Sequence, residues 1–325
     1  MKLYLAPMQG VVDYNMRKIL TEIGGYDRCV TEFIRVAQFP LPDKTFYRYC
    51  PELLTGGCTE AGIPVHIQLL GSEPGKIAWH AKQAQRLGAL GIDLNFGCPA
   101  KVVNRHGGGS ALLTNPALVG DIVKGVRDAV PESTPVSAKI RLGFANADLL
   151  SEIVERVINA GANELCIHAR TRNDGYKPPA YWHYIADVNQ TTACTIIVNG
   201  EVWSPQDANE AARQSGCQSL MLGRGALTTP DLALQIKALL AGTDYAPLEW
   251  LSVLAHVEQY FLNSDSIVPE FTGNRTKQWL AYLMRHYPNA RPFFQNMKRS
   301  HDRSEIAALF TDARRQAESK LRWAS

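Results

Sequence analysis

Residues 92–99 read IDLNFGCP: a short apolar run ends at Asn95, then Gly97, Cys98 and Pro99, and the glycine triplet 107–109 follows. A thiol at the end of a strand, beside a proline and a glycine loop, can act as nucleophile or as general acid. Other chemistry-bearing residues sit at comparable places. Lys139 and Arg141 alternate in KIR and His168 and Arg170 in HAR, while Asn199, Gly200 and Glu201 form NGE and Gly223 and Arg224 stand in GRG. Alternation along a strand puts each spaced pair on one face. Lys139 could simply pair with a carboxylate, but two neighbouring cations, Lys139 and Arg141, call for an anion of their own. His168 alone would read as structural; beside such a cluster it reads as a ligand to polar oxygens. His106, next to the glycine triplet, is a further candidate proton carrier, against the alternative of a solvated loop histidine.

Eight short apolar or β-branched runs must position these groups: 3–8, 29–36, 65–71, 92–99, 136–143, 164–170, 195–201 and 219–225. Stretches of helical periodicity such as 115–130 and 149–162 separate them, and starts recur about every 31 residues. Eight βα units in this length predict a (β/α)8 barrel, with a doubly wound open sheet as the alternative. The polar residues favour the barrel. Gln68, Asn95, Lys139, Arg141, His168, Arg170, Asn199, Glu201 and Arg224 all fall at or near the ends of their runs, and in a barrel those ends converge on one face. After Gly242 the segment TDYAPLEW reads as a linker into helices at 248–263, 274–287, 290–300 and 303–321. The expected organisation is therefore a barrel over 1–243 and a small helical domain over 244–325.

Glycines in the loops after strands seven and eight let backbone N–H groups approach a ligand, and in barrels those loops commonly cradle a phosphate. Taken singly they would mark tight turns; at both strands together they indicate a phosphate-bearing cofactor. Neither a Rossmann fingerprint nor a P-loop is present. Lys139 would set a cation against an electron-rich ring such as a reduced flavin, and Gln68 would meet a pyrimidine-like edge. Cys98 alone of the cysteines stands at the barrel mouth; Cys29, Cys166 and Cys217 read as core.

The seven cysteines form no CxxC pair or zinc spacing, which favours reduced thiols and a cytoplasmic protein. No apolar run approaches the roughly 18–20 residues that span a bilayer. The chain has net charge +3, but residues 272–325 hold eleven Lys or Arg against four Asp or Glu, leaving the remainder at −4. A basic end of this kind suits an anionic partner.

Taken in order, APM (6–8), Gln68, LNFGCP with its glycine triplet, KIRLG (139–143), HAR, NGE and GRG resemble the tRNA-dihydrouridine synthases over essentially the whole chain. EFIRV (32–36) and RTKQWLAYL (275–283) are similar to the bacterial C-type subgroup, whose target is uridine 16 in the D-loop. The resemblance implies an FMN enzyme reduced by NADPH or NADH, in which hydride passes from the flavin to uracil C6 and a cysteine, here Cys98, protonates C5. It implies that Pro7, Met8, Gln9, Gln68, Lys139, His168, Asn199, Gly200, Glu201, Gly223 and Arg224 line the FMN site. Asn95 and Arg141 would hold the target uridine, and Arg35, Arg275, Lys277 and Tyr282 would bind tRNA near the D-loop and elbow, with no obligatory protein partner. By helix geometry Arg275, Trp279 and Tyr282 share a face, with Trp279 expected in the core and Lys277 reaching in from the side. A dihydroorotate dehydrogenase-like flavoenzyme and a non-catalytic tRNA-binding protein are the alternatives.

Overall fold

The computed structural model describes the chain except residues 37, 191–193, 265–270 and 325, with side chains through residue 316. Its barrel half runs β1 (Lys2–Leu5), α1 (Tyr14–Ile23), β2 (Arg28–Val30), β3 (Ile34–Arg35), α2 (Asp43–Tyr49), β4 (Val65–Leu70) and α3 (Pro74–Arg86). It continues through β5 (Ile92–Asn95), α4 (Lys101–Arg105), α5 (Pro116–Ala129), β6 (Val136–Arg141), α6 (Leu150–Asn159), β7 (Glu164–His168) and α7 (His183–Gln190). The last units are β8 (Thr195–Asn199), α8 (Pro205–Ser215), β9 (Ser219–Leu222), α9 (Arg224–Thr228) and α10 (Leu232–Ala241). Helices α11 (Trp250–Asn263), α12 (Asn274–Leu283), α13 (Ala290–Met297) and α14 (Arg303–Ala324) follow. Residues 265–270, within the expected helical domain, lie outside the described residues.

All strand pairings are parallel, and the sheet closes because β1 pairs with both β2 and β9 while β2 also pairs with β4. The open sheet is thereby excluded. Strands buried on both faces explain the near-continuous apolar runs; β4, VHIQLL, is buried at every position. The helices face the sheet with one stripe each. In α5, Pro116 opens the helix, Asn115 accepts from the Leu118 N–H, and Val119, Ile122, Val123 and Val126 pack inward. One core runs from this shell through Leu227 and Ile236 into Val257, Tyr260 and Trp279 of the C-terminal helices. A second, smaller apolar cluster (Tyr4, Ala6, Val30, Cys166, Ile197, Met221) fills the barrel interior.

The sequence reading departs from the structure at strand ends. The run 29–36 is two strands, β2 and β3, because residues 32–33 leave the ladder: Glu32 accepts from the Gly10 N–H and the Phe33 N–H donates to Gln9 Oε1 at 3.1 Å. The run 195–201 stops at Asn199, since Gly200 and Glu201 take positive φ (112° and 59°). Helices predicted at 248–263, 274–287 and 290–300 occupy 250–263, 274–283 and 290–297.

Candidate active site

A cavity of about 640 Å³ opens where the strands end at their carboxyl side, a size that suits a cofactor or small ligand. Fifteen of the eighteen residues singled out from sequence line it. Pro7, Met8 and Gln9 come from the loop after β1, Gln68 and Asn95 from β4 and β5, and Cys98 from the following loop. Lys139, Arg141, His168 and Asn199 come from β6 to β8, Gly200, Glu201 and Gly223 from the loops after β8 and β9, Arg224 from the start of α9, and Tyr282 from α12.

The cysteine loop is held from several directions. The Asn95 Oδ1 accepts from the N–H groups of Gly97 (3.1 Å) and Cys98 (2.9 Å). The Cys98 carbonyl accepts from Ser110 Oγ (2.9 Å), Ser110 N (3.1 Å) and Asn104 Nδ2 (2.8 Å). Gly109 explains the triplet: a Cβ there would stand 2.8 Å from the Cys98 carbonyl oxygen, so the loop folds back onto the cysteine only with glycine at this point. Burial pushes the half-buried Cys98 thiol above its ordinary range, against smaller opposing effects of a backbone hydrogen bond at Ala100 and the Arg141 charge. A thiol kept protonated at neutral pH is suited to give a proton rather than to attack. Cys29, Cys166 and Cys217 are buried in the core, and burial pushes Cys29 up to about 12 and Cys166 to about 11.

The floor and far wall are cationic. Lys139 Nζ donates to Asn199 Oδ1 at 2.7 Å, and Asn199 Nδ2 is anchored on the Met221 carbonyl at 2.8 Å. Among the described residues no carboxylate pairs with Lys139. Lys139, Arg141 and Arg224 line the cavity against one carboxylate, Glu201, and that one is held by the fully buried Arg170 and lies 3.7 Å from Arg224. Glu201 is titrated upward by burial, but the hydrogen bonds from Arg170 and Trp203 and the two arginine charges win and hold it below the usual range. Its positive φ is a strained conformation for a side-chain-bearing residue, and the buried ion pair fixes it. Burial, then the charges of Arg141, Lys139, Arg170 and Arg224, force His168 well below its ordinary pKa, so it enters the site as a neutral hydrogen-bonding ring. Gly200 passes so close to it that a Cβ would lie 2.6 Å from His168 Cδ2.

Two residues expected at the substrate are already engaged. Arg141 donates to the carbonyls of Gly97 (2.8 Å), Thr171 (2.9 Å) and Gly175 (2.9 Å), tying the cysteine loop to the loop after β7. Asn95 divides its amide between the cysteine loop and Gln68. Three others lie outside the cavity. Arg35, exposed at the end of β3, lines a separate cleft of about 130 Å³ with Lys76 and His106, which removes His106 from the candidate proton carriers of the main cavity. Arg275 donates to the Gly10 carbonyl at the cavity rim. Lys277 does not reach in from the side. Two residues further along α12 is about 200° of rotation, so it points back into the helical unit and donates to the Ser300 carbonyl at 2.6 Å. Trp279 is buried and donates to the Leu227 carbonyl at 3.1 Å, a docking contact between helical unit and barrel.

Sequence reasoning missed Tyr176 and Trp203. Tyr176, 53% exposed, lies under the guanidinium groups of both Arg141 (5.2 Å) and Arg224 (5.0 Å), and Trp203 lies under Arg224 (5.1 Å) and Arg285 (4.5 Å). Both come from loops without periodicity; an aromatic among the loop arginines was the only available sign.

Comparison with known proteins matches residues 4–317 to the dihydrouridine synthase (Dus) family model. The tRNA-dihydrouridine(16) synthase of Shewanella oneidensis is 46% identical over 96% of this chain and 98% of its own. That of Vibrio parahaemolyticus is 46% identical over 92% of each, and that of Pseudomonas putida 44% over 95% and 96%. Among solved structures, histamine dehydrogenase from Rhizobium sp. 4-9 superposes with a TM-score of 0.57 at 16% identity, covering 84% of this chain. A 2-naphthoyl-CoA reductase gives 0.56 at 14% identity over 74% of it. The chain spans about half the length of each of these two, and at such identities the likeness establishes the barrel fold alone.

Proposed function

The chain belongs to the dihydrouridine synthase family, and from that premise we propose that it reduces the C5–C6 double bond of uridine 16 in the tRNA D-loop, with bound FMN and with NADPH or NADH as reductant. The observation that carries this reading is a protonated, half-buried thiol sharing one cavity with a lysine that has no carboxylate partner among the described residues. The cavity's residues fit FMN: the cationic surplus suits a phosphate, the absence of Cβ atoms at Gly200 and Gly223 leaves backbone close to the ligand, and Lys139 suits an anionic ring. Pro7, Met8, Gln9, Gln68, Lys139, His168, Asn199, Gly200, Glu201, Gly223 and Arg224 would hold it. When bound, FMN supplies the hydride to uracil C6. Cys98 then gives its proton to C5, and the loop contacts through Asn95 and Arg141 keep the thiol at the face of the ring.

A uridine must leave its stack to enter the cavity, which costs a few kcal/mol that contacts elsewhere on the tRNA must offset. In this reading residues 1–243 perform the chemistry and residues 244–325, with Arg275 and Tyr282 at the rim, hold the tRNA backbone electrostatically together with the exposed Arg35 of β3. Position 16 is supported by the names of the three relatives above. A tRNA substrate also favours the cytoplasm; among the described residues no helix is long and apolar enough to cross a membrane. A free pyrimidine would need no basic helical unit, and a purely binding protein would have no use for Cys98 beside Lys139.

Mapping dihydrouridine in tRNA from a strain lacking this protein tests the reading. Position 16 is expected to revert to uridine, to be restored by the wild-type protein and not by Cys98→Ala. Dihydrouridine persisting at position 16 in the deletion strain refutes the assignment, and full restoration by Cys98→Ala removes the thiol from the chemistry.

A further inference from the structure

Below the cavity floor lies a carboxylate that does not line it. Asp93, on β5, is 2% exposed, and its oxygens accept from Ser137 Oγ (2.6 Å) and Gln68 Nε2 (2.7 Å). Gln68 Oε1 accepts from Asn95 Nδ2 at 2.8 Å, and Asn95 Oδ1 accepts from the backbone N–H groups of Gly97 and Cys98. The direction of this chain is set from its backbone end. A backbone N–H only donates, so Asn95 turns its Oδ1 to Gly97 and Cys98 and its Nδ2 to Gln68, which in turn points its Nε2 at Asp93. Taken alone, either amide could turn over and present the wrong end. Burial pushes the Asp93 pKa upward, and the hydrogen bonds from Gln68 and Ser137, then the charges of Arg28 and Lys139, oppose it.

We propose that Asp93 is a positioning residue: through Gln68 and Asn95 it sets the backbone of Cys98 and so the place from which the thiol delivers its proton. Gln68 also lines the cavity, so the same relay joins the cofactor seat to the cysteine loop. The inference rests on the proposed function for its catalytic consequence, but not for its structural one.

The test compares Asp93→Ala with the conservative Asp93→Asn. In the first, the Gln68 amide loses its fixed acceptor and the cysteine loop loosens; in the second, the new amide can still accept from Gln68 while donating to Ser137. Alkylation of Cys98 by iodoacetamide, followed peptide by peptide in the protein without tRNA, is expected to quicken about tenfold in Asp93→Ala, as for a group released from local protection. Oxidation of the reduced holoenzyme by tRNA is expected to fall about 100-fold in kcat with KM within twofold, the loss that a misplacement near 1 Å produces. Asp93→Asn should recover both readouts to within about threefold, because it preserves the acceptor that orients Gln68. Wild-type alkylation and turnover in Asp93→Ala overturn the proposal, and so does an equal loss in Asp93→Asn. Should Asp93→Ala fail to fold, Asp93→Asn combined with Ser137→Ala keeps the volume but removes the hydroxyl that orients the new amide. That double variant must then show the faster alkylation, and wild-type alkylation in it overturns the relay. A wild-type protein inactive on tRNA would refute the proposed function, while the alkylation ratios still decide the relay.

Discussion

Replacing Gly200 by alanine tests the cofactor cradle with a single methyl group. The added Cβ would stand 2.6 Å from His168 Cδ2 and 2.9 Å from Nε2, at a residue whose φ is +112°. Two penalties follow and they fall on different equilibria. The backbone penalty for a side chain at such a φ, about 1–3 kcal/mol, is present whenever the protein is folded. At this chain size it lowers the melting temperature by about 2–6 °C. The steric penalty, about 1–3 kcal/mol for overpacking, depends on whether His168 can move. The ring lines the cavity. Without cofactor the ring swings there and relieves the contact; with FMN seated it cannot. The steric term is then subtracted from binding, weakening FMN affinity about 5- to 150-fold. Fluorescence titration of the apoprotein with FMN and a thermal melt of the same apoprotein separate the two. A lowered melting temperature with affinity unchanged within twofold would show that His168 and Gly200 do not border the cofactor, and the cradle argument would fail.

Other perturbations follow from the same geometry. Arg170→Met removes the buried partner of the Glu201 carboxylate, but Glu201 is partly exposed and keeps Arg224 at 3.7 Å, so the cost falls below the roughly 3–5 kcal/mol of breaking a fully buried pair. Because Glu201 is held below its unfolded value near 4.3, the stability gap between wild type and variant in pH-stepped urea melts should be constant above about pH 5 and close as pH falls through the folded value; a gap that widens in acid contradicts the pairing. Since burial raises the Cys98 thiol, single-turnover dihydrouridine formation should be flat through neutral pH and decline only on the alkaline side; a rate rising with pH would mark the thiolate as the active form. Arg275→Ala removes the clasp on Gly10 and should weaken tRNA binding with a shallower salt dependence in filter-binding assays, leaving FMN content unchanged; unaltered tRNA affinity at low and high salt would remove Arg275 from the interface.

The barrel was legible because its signal repeats: eight runs and the helical periods between them specify units whose closure buries them all. The cavity residues were legible for a related reason, since most polar residues at the ends of apolar runs face the barrel mouth; Arg35 and Arg170, which do not line it, are the exceptions. Contacts made by loops were not legible. Nothing in the spacing of Tyr176 or Trp203 says that each lies beneath two guanidinium groups, because irregular backbone has no period to read. Lys277 illustrates a second limit. Helical geometry placed it away from Arg275, yet its partner, the Ser300 carbonyl, depends on how α13 and α14 fold back, which is tertiary information. Asp93 illustrates a third: the sequence analysis did not single it out, and only its partners reveal it as an acceptor for the Gln68 amide and the Ser137 hydroxyl.

The helical unit meets the barrel on both flanks of the cavity, and this bears on precision. On one flank Arg275 holds the Gly10 carbonyl while Glu32 holds the Gly10 N–H, so a single residue of the loop after β1 is gripped by both parts of the chain. On the other, Arg285 lies over Trp203, Trp203 under Arg224, and Arg224 with Arg141 over Tyr176, an alternation of cations and rings leading from just past α12 to the cysteine loop. Tyr282 of α12 lines the cavity as well. A macromolecular substrate bound mainly by its backbone delivers its reacting base at the end of a long lever, where a small rotation of the binding unit becomes a large displacement at the ring. Joining that unit to the rim at two separated places shortens the lever, and so keeps the geometric tolerance of proton transfer within reach of contacts made far from the thiol.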